Sequence, residues 1–532
     1  MRYSLRARQK FFIRAFYRKP GEKMTGIYVV ISKKKEVQDE YRKNAKSLKH
    51  RGCEKIINVN GSNFSADFFE NIVPESMEHG FENRESENGD RDFCVIDGQI
   101  HNLDELRNLE GLKSCDSPNE FIYEGYKRFG DSIFKNTYGF YSLIIKNSDT
   151  IVAAKDPVGL SPLYILENDA VIIFSSELKA IRNFEGSIRM LQPGHVVEYD
   201  AKETELKERR FYNVDSLREI DVLDESELQT IKNTLKVLLD NAVKNSVNVP
   251  GHVASLLSGG IDSTIICALA AKYVPNLPVY SIGIQESEDL KHAKLVTGLY
   301  PDLQHKVFAV SFEDLKKALP KVIVALETFD AALIRSALPM YVLCSKISPE
   351  INVLLTGEGA DELFGGYSYL KNMTPQAFAN ELVELLKAQH ATGLQRVDRI
   401  PYAFNIEARA PWFDLKVVEY AFRIPTSLKL KKVRGELIEK WIVREVFQDI
   451  IPKEIAWRKK AKFSQGVDSE LLMRDYFNEE ISDWTFEKEK EVIPGFFVRS
   501  KEELHYWRIF NEIFTPPKDF VKKLPLTTRF TV

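Results

Sequence analysis

One stretch of the chain, from Val253 to Tyr273, constrains the fold more than any other. An apolar strand, Val253–Leu257, runs into Ser258-Gly259-Gly260-Ile261-Asp262-Ser263, and an apolar helix follows. Such a glycine turn lets backbone N–H groups converge, and the dipole at the N-terminus of the next helix favours negative charge. The strand, turn and helix therefore predict an anion site, and the ligand that fits it best is a pyrophosphate group.

Strand-like and helix-like segments alternate around this turn. Such alternation favours an α/β domain with a doubly wound parallel sheet, whose ligands bind at the carboxyl ends of the strands. Beyond residue 370 the chain is predicted to be mostly helical. The predicted helices are 226–246, 263–273, 289–299 and 312–326, and the predicted strands are 253–257, 278–284, 305–311 and 351–355.

The region before residue 205 has a different pattern. Short apolar runs recur there, and Asn-Gly, Asp-Gly and Pro-Gly turns break them at 60–61, 97–98 and 193–194, which predicts a β-rich domain. Residues 205–225 are charged and irregular and are predicted to be a linker. The chain of 532 residues is long enough for several domains. We predict a basic extension over 1–23, a first domain over 24–210 and a second domain over 211–532.

Composition narrows the classes of partner. The net charge is −3 and 28% of the residues are charged, a balance that gives no indication of nucleic-acid binding. No apolar run approaches the roughly eighteen residues that would span a bilayer, so no membrane segment is predicted. The five cysteines are scattered without a CxxC pair, which argues against a zinc site or disulfides and favours the cytoplasm. The basic residues 1–23 are open to three interpretations: a targeting peptide, a basic tail, or a true start at Met24.

Two further motifs accompany the glycine turn. In the turn itself Asp262 is placed to hold Mg²⁺ on phosphates, and Ser258 and Ser263 can donate to phosphate oxygens. The run Thr356-Gly357-Glu358-Gly359-Ala360-Asp361-Glu362 places carboxylates between glycines after the predicted strand 351–355, a position that favours a ligand site. The third motif, Trp457-Arg458-Lys459-Lys460, would be a solvated basic patch if it stood alone.

Together, and in this order, the three motifs resemble asparagine synthetases of the glutamine-hydrolysing type. Arg335, the run Ile406–Asp414 and the stretch Glu439–Val467 are also similar to that family. The resemblance covers nearly the whole chain from Met24 and is strongest over residues 253–467. It implies an α+β glutaminase domain of the N-terminal-nucleophile type, followed by an α/β ATP pyrophosphatase domain with a helical C-terminal part.

The resemblance also implies a two-step reaction that uses ATP and Mg²⁺. A substrate carboxylate attacks the α-phosphorus of ATP to give an acyl-adenylate and pyrophosphate, and an amine then attacks the activated carbonyl. Glu358 matches the family residue proposed as the base for that amine, Lys460 would stabilise charge on the phosphates, and Arg335 is a third catalytic candidate. The implied ATP contacts are Leu256 and Ile282 at the adenine, Thr356 and Gly357 at the ribose and α-phosphate, and Ser258, Gly259, Gly260, Asp262 and Ser263 at the phosphates, with Asp262 and Asp361 on Mg²⁺.

The glutaminase end departs from the family pattern. The family begins with Met-Cys-Gly-Ile, whose cysteine is the nucleophile, whereas the matching run here is Met24-Thr25-Gly26-Ile27. The family's Asn-Gly-Glu, whose Asn donates to the oxyanion, appears as Asp97-Gly98-Gln99, and a carboxylate there repels developing negative charge. Arg51 is retained and can still bind a carboxylate. We therefore predict a folded but inactive glutaminase domain.

Three functions stay open. The first is an amide-forming ligase that adenylates aspartate or a similar carboxylate and uses ammonia or an amine. Glu358 favours it, because β-lactam-forming relatives tend to carry Tyr there. The second is a relative of lasso-peptide cyclases and β-lactam synthetases, which joins an amine already on its peptide or small-molecule substrate and carries a dead glutaminase domain. The third is a non-catalytic regulatory protein, which the intact motifs argue against.

The substrate and the assembly are less constrained by the sequence. Two family Thr residues are replaced by Ala332 and Leu333, and the loss of two hydroxyls argues against free aspartate as the substrate. The sequence also leaves open whether a separate glutaminase supplies ammonia and whether the chain forms a homodimer.

Overall fold

Two antiparallel sheets of six strands each form the first part of the computed structural model. The residues that the structure describes are 26–33, 41, 44–51, 55–60, 65–70, 81–85, 91–109, 111–113, 115, 117–249, 251–283, 288–348, 350–458 and 469–527. The predictions that concern residues 1–23, Thr25 and Lys460 fall outside these residues.

All pairings within the two sheets are antiparallel. This arrangement confirms the β-rich first region. In spatial order, the first sheet contains Ser187–Met190, Tyr164–Glu167, Val171–Ser175, Tyr28–Ser32, Ser65–Glu70 and Lys55–Asn60, and the second contains Glu205–Arg210, His195–Asp200, Thr150–Lys155, Gly139–Asn147, Arg91–Ile100 and Phe81–Glu85.

The strand Tyr28–Ser32 is buried on both faces, which explains its unbroken apolar run. Successive side chains of a strand point to opposite faces. Val29 and Ile31 accordingly pack between the two sheets, whereas Tyr28 and Val30 pack in a cluster that also contains many residues of the second domain. The first domain is therefore joined to the second through a shared hydrophobic core.

A parallel sheet of five strands organises the second domain. Its spatial order is Gln304–Ala309, Pro278–Gly283, Val253–Leu256, Val353–Leu355 and Glu407–Arg409. Helices cover both faces of this sheet. Successive strand residues point to opposite faces, and Val253 and Ala254 accordingly belong to different hydrophobic clusters. The strand order reverses at Val253–Leu256, and the crevice beside such a strand is the usual ligand site of an open parallel sheet.

Several helices begin at recognisable caps. Ser311 and Asp314 form a capping box at the start of Phe312–Leu326, and Thr374 precedes a proline at the start of Pro375–Ala388. Among the described residues, the α-helices of the second domain are Leu228–Val247, Ile261–Ala270, Glu288–Leu299, Phe312–Leu326, Ala331–Ile347, Ala360–Phe364, Pro375–Ala388, Gly393–Tyr402, Leu415–Arg423, Thr426–Lys429, Trp441–Phe447, Lys453–Ala456, Ser469–Glu480, Asp483–Glu489, Lys501–Phe514 and Lys518–Lys523. In the first domain, Leu103–Leu106, Pro118–Phe129 and Ser132–Lys135 are helical. The mostly helical region predicted beyond residue 370 is confirmed.

The prediction of a linker over residues 205–225 is wrong at its start. Glu205–Arg210 is an edge strand that pairs with His195–Asp200 over its full length. Its side chains are mostly exposed and charged, as an edge strand tolerates, so the run lacks the apolar alternation from which a strand is predicted. No helix among the described residues is long and apolar enough to cross a membrane.

Candidate active site

Two loops meet at the crevice beside the central strands. Ser258–Gly260 and Thr356–Gly359 follow two neighbouring parallel strands. A Cβ atom on Gly357 would come within 2.5 Å of the backbone nitrogen of Ser263, so the loops are in close contact. The structure thus brings the first two sequence motifs around one cleft of about 330 Å³, a size typical of small-molecule sites.

The glycine turn has the geometry of an anion site. Gly259 has a φ of +76°, and a Cβ atom there would come within 2.2 Å of the Asp289 carbonyl oxygen, so only glycine fits. The hydroxyls of Ser258 and Ser263 lie 2.9 Å apart, and the Ser263 hydroxyl accepts from the Ser258 backbone N–H at 3.1 Å. Both serines and the first turn of the helix Ile261–Ala270 line the cleft, which suits phosphate oxygens.

Another part of the cleft is apolar. Leu256 and Ile282 lie on adjacent strands, and Met340 and Leu343 come from the helix Ala331–Ile347. Apolar walls with few polar groups are typical of sites for flat heterocycles such as adenine. The two residues that the sequence assigns to the adenine therefore line the same cleft as the glycine turn.

Asp262 and Asp361 lie in the first turns of two different helices, Ile261–Ala270 and Ala360–Phe364, and bind one ammonium group. The Lys440 Nζ atom lies 2.9 and 2.7 Å from the two Asp262 carboxylate oxygens and 2.5 Å from an Asp361 oxygen. Lys440 is almost fully buried. Burial by itself would lower the pKa of this lysine, but the two carboxylates outweigh burial and raise the pKa above its usual value.

The arrangement fits a divalent cation. In this structure the carboxylates of Asp262 and Asp361 bind the Lys440 ammonium, and the same oxygen atoms are suitable ligands for a metal cation. Mg²⁺ usually takes one or two protein carboxylates and completes its shell with phosphates and water. Within the described parts of the chain there is no group of three or more His, Cys, Asp or Glu set to hold a metal. Two carboxylates on one cleft match this preference, so Asp262 and Asp361 are the residues that would hold Mg²⁺ bound to a nucleotide.

Glu358 lines the same cleft with its carboxylate held by a guanidinium. It pairs with Arg396, and 24% of its side-chain surface is exposed. The neighbouring Glu362 is buried and accepts from the Tyr367 hydroxyl at 2.5 Å. Burial, together with the charges of Glu358 and Asp361, raises the pKa of Glu362 to about 7. Glu358 is thus an oriented carboxylate in the cleft, next to a buried carboxyl group whose pKa is raised.

Arg335 lines the cleft but is engaged by a carboxylate. Its Nε–H group donates to the two oxygens of Glu502 at 3.2 and 2.9 Å, and the Tyr506 hydroxyl donates to Glu502 at 2.6 Å. Both partners belong to the helix Lys501–Phe514. The guanidinium is therefore held in place by a helix close to the C-terminal end of the described chain.

The start of the helix Ala331–Ile347 adds apolar lining. Ala332 and Leu333, the positions of the two replaced Thr residues, both face the cleft. Asp330 caps this helix, and it also accepts from the backbone N–H and the hydroxyl of Thr527 at 2.6 and 2.8 Å. Thr527 also lines the cleft, so the far C-terminal segment contributes to this wall.

The basic motif Trp457–Lys460 contributes Arg458 to the lining of the cleft. Arg458 lines the cleft and pairs with Asp289 at 2.6 Å. Arg444 also lines the cleft and donates to the carbonyl oxygens of Ala456 and Arg458 at 2.6 and 3.1 Å. The segment that leads to Lys460 is therefore anchored at the cleft, while the role of Lys460 itself stays a prediction.

Lys440 and Arg396 are among the residues of this site to which the sequence assigned no role. Lys440 falls inside the family-like stretch Glu439–Val467, but it meets Asp262 across 178 positions of the chain, and no local pattern reports that contact. Arg396 lies on an ordinary amphipathic helix, Gly393–Tyr402, where an arginine usually indicates a solvated face. For both residues only the tertiary structure supplies the signal.

In the first domain, Arg51 is completely enclosed. Its guanidinium pairs with Glu177 and Asp398 and lies 3.4 Å from Asp97. The Tyr402 ring lies 4.0 Å from the guanidinium carbon. The side chain has 0% exposure, so its carboxylate-binding groups are already occupied by other parts of this chain.

Asp97 is buried beside Arg51. It accepts hydrogen bonds from the Ser176 hydroxyl at 2.9 Å and from the Tyr402 hydroxyl at 3.1 Å. Burial raises the pKa of Asp97 to about 6, although Arg51 acts to lower it. The Asp97 carboxyl group thus accepts from two hydroxyls and lies beside the Arg51 guanidinium.

Gly98 and Gln99 follow Asp97 on the strand Arg91–Ile100. Gly98 has a φ of +121°, and a Cβ atom there would come within 2.0 Å of the Phe140 carbonyl oxygen, so glycine is required for the strand pairing. Gln99 lies opposite Phe140 in that pairing. The three residues of the predicted glutaminase run therefore share one strand, with Thr25 outside the described residues.

Comparison with protein families accounts for both domains. The model for an asparagine synthase matches residues 234–391 and 371–507, and the model for a glutamine amidotransferase domain matches residues 24–234. These matches identify the chain as a carbon–nitrogen ligase of the amidotransferase type. More specifically, the chain belongs to the asparagine synthetase family.

Named relatives align over most of the chain. A glutamine-hydrolysing asparagine synthetase of Arabidopsis thaliana is 30% identical over 453 residues, 80% of this chain and 76% of its own length. The nodule enzyme of Pisum sativum is 29% identical over 88% of this chain and 82% of its own, and the Gallus gallus enzyme is 28% identical over 88% and 90%. Among solved structures, glutamine phosphoribosylpyrophosphate amidotransferase from B. subtilis is 15% identical, with a TM-score of 0.31 over 53% of this chain and 80% of its own. That structural likeness is too low to add to the assignment.

Proposed function

We propose that this chain adenylates a substrate carboxylate with ATP and transfers the acyl group to ammonia or an amine, releasing AMP and pyrophosphate. One observation carries the proposal. Asp262 and Asp361 converge on Lys440 beside the glycine turn, and Glu358 lines the same cleft. A cation-binding carboxylate pair, a buried ammonium and a separate oriented carboxylate are the groups that adenylation followed by amine attack requires.

Each group has a distinct part in this proposal. Mg²⁺, when held by Asp262 and Asp361, would neutralise charge on the phosphates. Once these carboxylates hold Mg²⁺, the Lys440 ammonium is released toward the phosphates, where it stabilises the negative charge that builds up as pyrophosphate leaves. Lys460 is proposed for the same role. Glu358 accepts the proton of the attacking amine, and Arg396 keeps its carboxylate turned into the cleft.

The proposed nitrogen source is free ammonia or an amine rather than glutamine bound in the first domain. Arg51, the group that would bind a glutamine carboxylate, is enclosed by three carboxylates of this chain. Asp97 stands where the family pattern has an amide donor, and a carboxyl group there does not stabilise an oxyanion. These contacts support a first domain that is folded but inactive as a glutaminase.

A second candidate activity is ring closure on a larger substrate that carries its own amine. The apolar lining at Ala332 and Leu333 favours it, because a pocket that binds free aspartate needs polar partners for a second carboxylate and an ammonium. Glu358 favours the first candidate, as the residue typical of ordinary amide formation.

The proposal is tested by following pyrophosphate release with ATP, Mg²⁺ and a panel of carboxylic acids, with and without ammonium. Release with aspartate plus ammonium supports the amide-forming ligase. Release only with a larger acid that carries an amine supports ring closure. Absence of release with every acid contradicts adenylation and leaves the non-catalytic interpretation.

The glutaminase hypothesis has its own test. Purified protein is incubated with glutamine, and glutamate is measured over time. We expect no turnover above that of heat-treated protein. Steady glutamate release that disappears in Thr25→Ala would contradict the hypothesis.

A further inference from the structure

The helix Gly393–Tyr402 separates the cleft from the buried charges of the first domain. Arg396 lines the cleft and pairs with Glu358. Asp398, two positions later, pairs with Arg51 of the first domain. Because successive helical residues are rotated by about 100°, side chains two positions apart leave nearly opposite faces. One short helix therefore contacts both the proposed base and the former glutamine site.

Asp398 meets Arg51 as a substrate carboxylate would. One Arg51 Nη–H group donates to one Asp398 oxygen, and the second lies 3.5 Å from the other oxygen, the two-pronged contact that a guanidinium makes with a carboxylate. Glu177 binds the Nε side of the same guanidinium. No polar edge of Arg51 is left for an external ligand, since the side chain has no exposed surface.

A second buried ion pair fixes the same helix. Arg399, next to Asp398, pairs with Glu327 and donates to the Tyr164 hydroxyl of the first domain at 3.0 Å. Glu327 in turn accepts from the backbone N–H groups of Leu178 and Lys179 at 2.8 and 2.7 Å. The helix is thus tied to the first domain at two consecutive residues, both buried.

We propose that Asp398 is an internal replacement for the glutamine carboxylate, and that the Arg51–Asp398 pair positions Arg396 against Glu358. The second half of this statement rests on the proposed function, because it concerns the amine-activating step. The physical reason is that a buried charge cannot lose its partner without strong destabilisation. The Arg51–Asp398 pair therefore fixes the position of the helix Gly393–Tyr402 between the two domains. In this role Arg51 and Asp398 are positioning residues that do not touch substrate.

Occupancy of the pocket is tested without any substrate. Asp398→Ala removes the carboxylate and leaves a small cavity beside Arg51, and the exposed Asp302→Ala is the matched control. Thermal unfolding is measured in sodium formate and in sodium chloride of equal ionic strength. We expect a lower Tm for Asp398→Ala that formate partly restores, and no formate effect on the wild type or on Asp302→Ala. A wild-type Tm for Asp398→Ala, or equal effects of formate and chloride, would overturn the replacement.

Positioning is tested by separating the two half-reactions. Carboxylate-dependent ATP–pyrophosphate exchange reports adenylation, and product formation with ammonium reports the amine step. We expect Asp398→Ala to lower the amine step by about tenfold and exchange by less than about twofold, since small misplacements of a catalytic group cost rate without abolishing binding. Formate should raise the amine step of this variant alone. Equal losses in both reactions, or no loss in either, would overturn the positioning role.

A second variant covers poor folding of Asp398→Ala. Asp398→Asn keeps the volume and part of the hydrogen bonding but removes the charge, and it should show the same unequal loss of the two half-reactions. A wild-type ratio in Asp398→Asn counts against positioning. If the wild type itself releases no pyrophosphate with any acid, the proposed function fails, whereas the formate experiment still decides whether Asp398 replaces a bound carboxylate.

Discussion

Replacing Asp97 with Asn is expected to stabilise the protein in a pH-dependent way. Burial raises the pKa of Asp97 from 3.8 to about 6. Between these values the folded protein holds a proton on Asp97 that the unfolded chain has lost, so the free energy of unfolding falls as pH rises through this window. Above about pH 6 the loss is complete and amounts to about 3 kcal/mol, at about 1.4 kcal/mol for each pH unit between the two values.

The hydrogen bonds of the site are compatible with this substitution. The oxygen of Asp97 that meets Ser176 and Arg51 can be replaced by the Asn carbonyl oxygen. The other oxygen, which accepts from the Tyr402 hydroxyl, would become an NH₂ group, and a hydroxyl can accept as well as donate. Arg51 keeps two carboxylate partners. The main change is therefore the removal of an ionisation that burial disfavours.

The assay is thermal unfolding of Asp97→Asn and wild type at two pH values. The gain in free energy should be about 1 kcal/mol at pH 4.5 and about 3 kcal/mol at pH 8. The larger gain corresponds to an increase of roughly 5–10 °C in the Tm of a domain of this size. The exposed Asp302→Asn is the control and should show no such trend. A variant less stable than wild type at pH 8, or a gain that does not change with pH, would refute the reasoning.

Three further substitutions test the cleft. Lys440→Met should lower pyrophosphate exchange by about 10²–10³-fold, because it removes a buried cation that stabilises charge on the phosphates. The control Lys432→Met, on an exposed strand, should leave exchange unchanged. Similar rates for both variants would exclude the role of Lys440. Glu358→Gln should reduce amide formation by about 10²-fold or more while sparing exchange, and equal loss of both reactions would remove the base assignment. Gly357→Ala places a Cβ atom 2.5 Å from the Ser263 nitrogen and should abolish exchange with a normal circular dichroism spectrum, so retained exchange would show that the loops need not touch.

Much of the parallel sheet could be predicted because its signals are local. The strand Val253–Leu256, its glycine turn and the helix Ile261–Ala270 follow one another in sequence, and each carries a composition typical of its type. The neighbouring strand Val353–Leu355 likewise ends in a glycine-rich loop. Since the carboxyl ends of parallel strands share one edge, the meeting of the two motifs followed from topology alone.

The fifth strand could not be predicted in this way. Glu407–Arg409 contains two charged residues that are buried because they satisfy each other: Arg409 donates to Glu407 at 3.0 Å and to the Ser246 carbonyl oxygen at 2.8 Å. Hydrophobic periodicity does not detect a strand of this kind. Lys440 could not be predicted either, because its burial depends on Asp262 and Asp361, which are distant in sequence.

The shared core bears on how such a chain can evolve. Tyr28, Val30 and Tyr164 of the first domain are buried in the same cluster as Ile323 and Ile334 of the second. Deletion of the first domain would turn that cluster into an apolar surface, which promotes aggregation. A domain that no longer hydrolysed glutamine would therefore still be retained by natural selection on solubility. In such a domain, substitutions are expected to accumulate at positions that served glutamine hydrolysis and to be rejected along the face that covers the ligase domain.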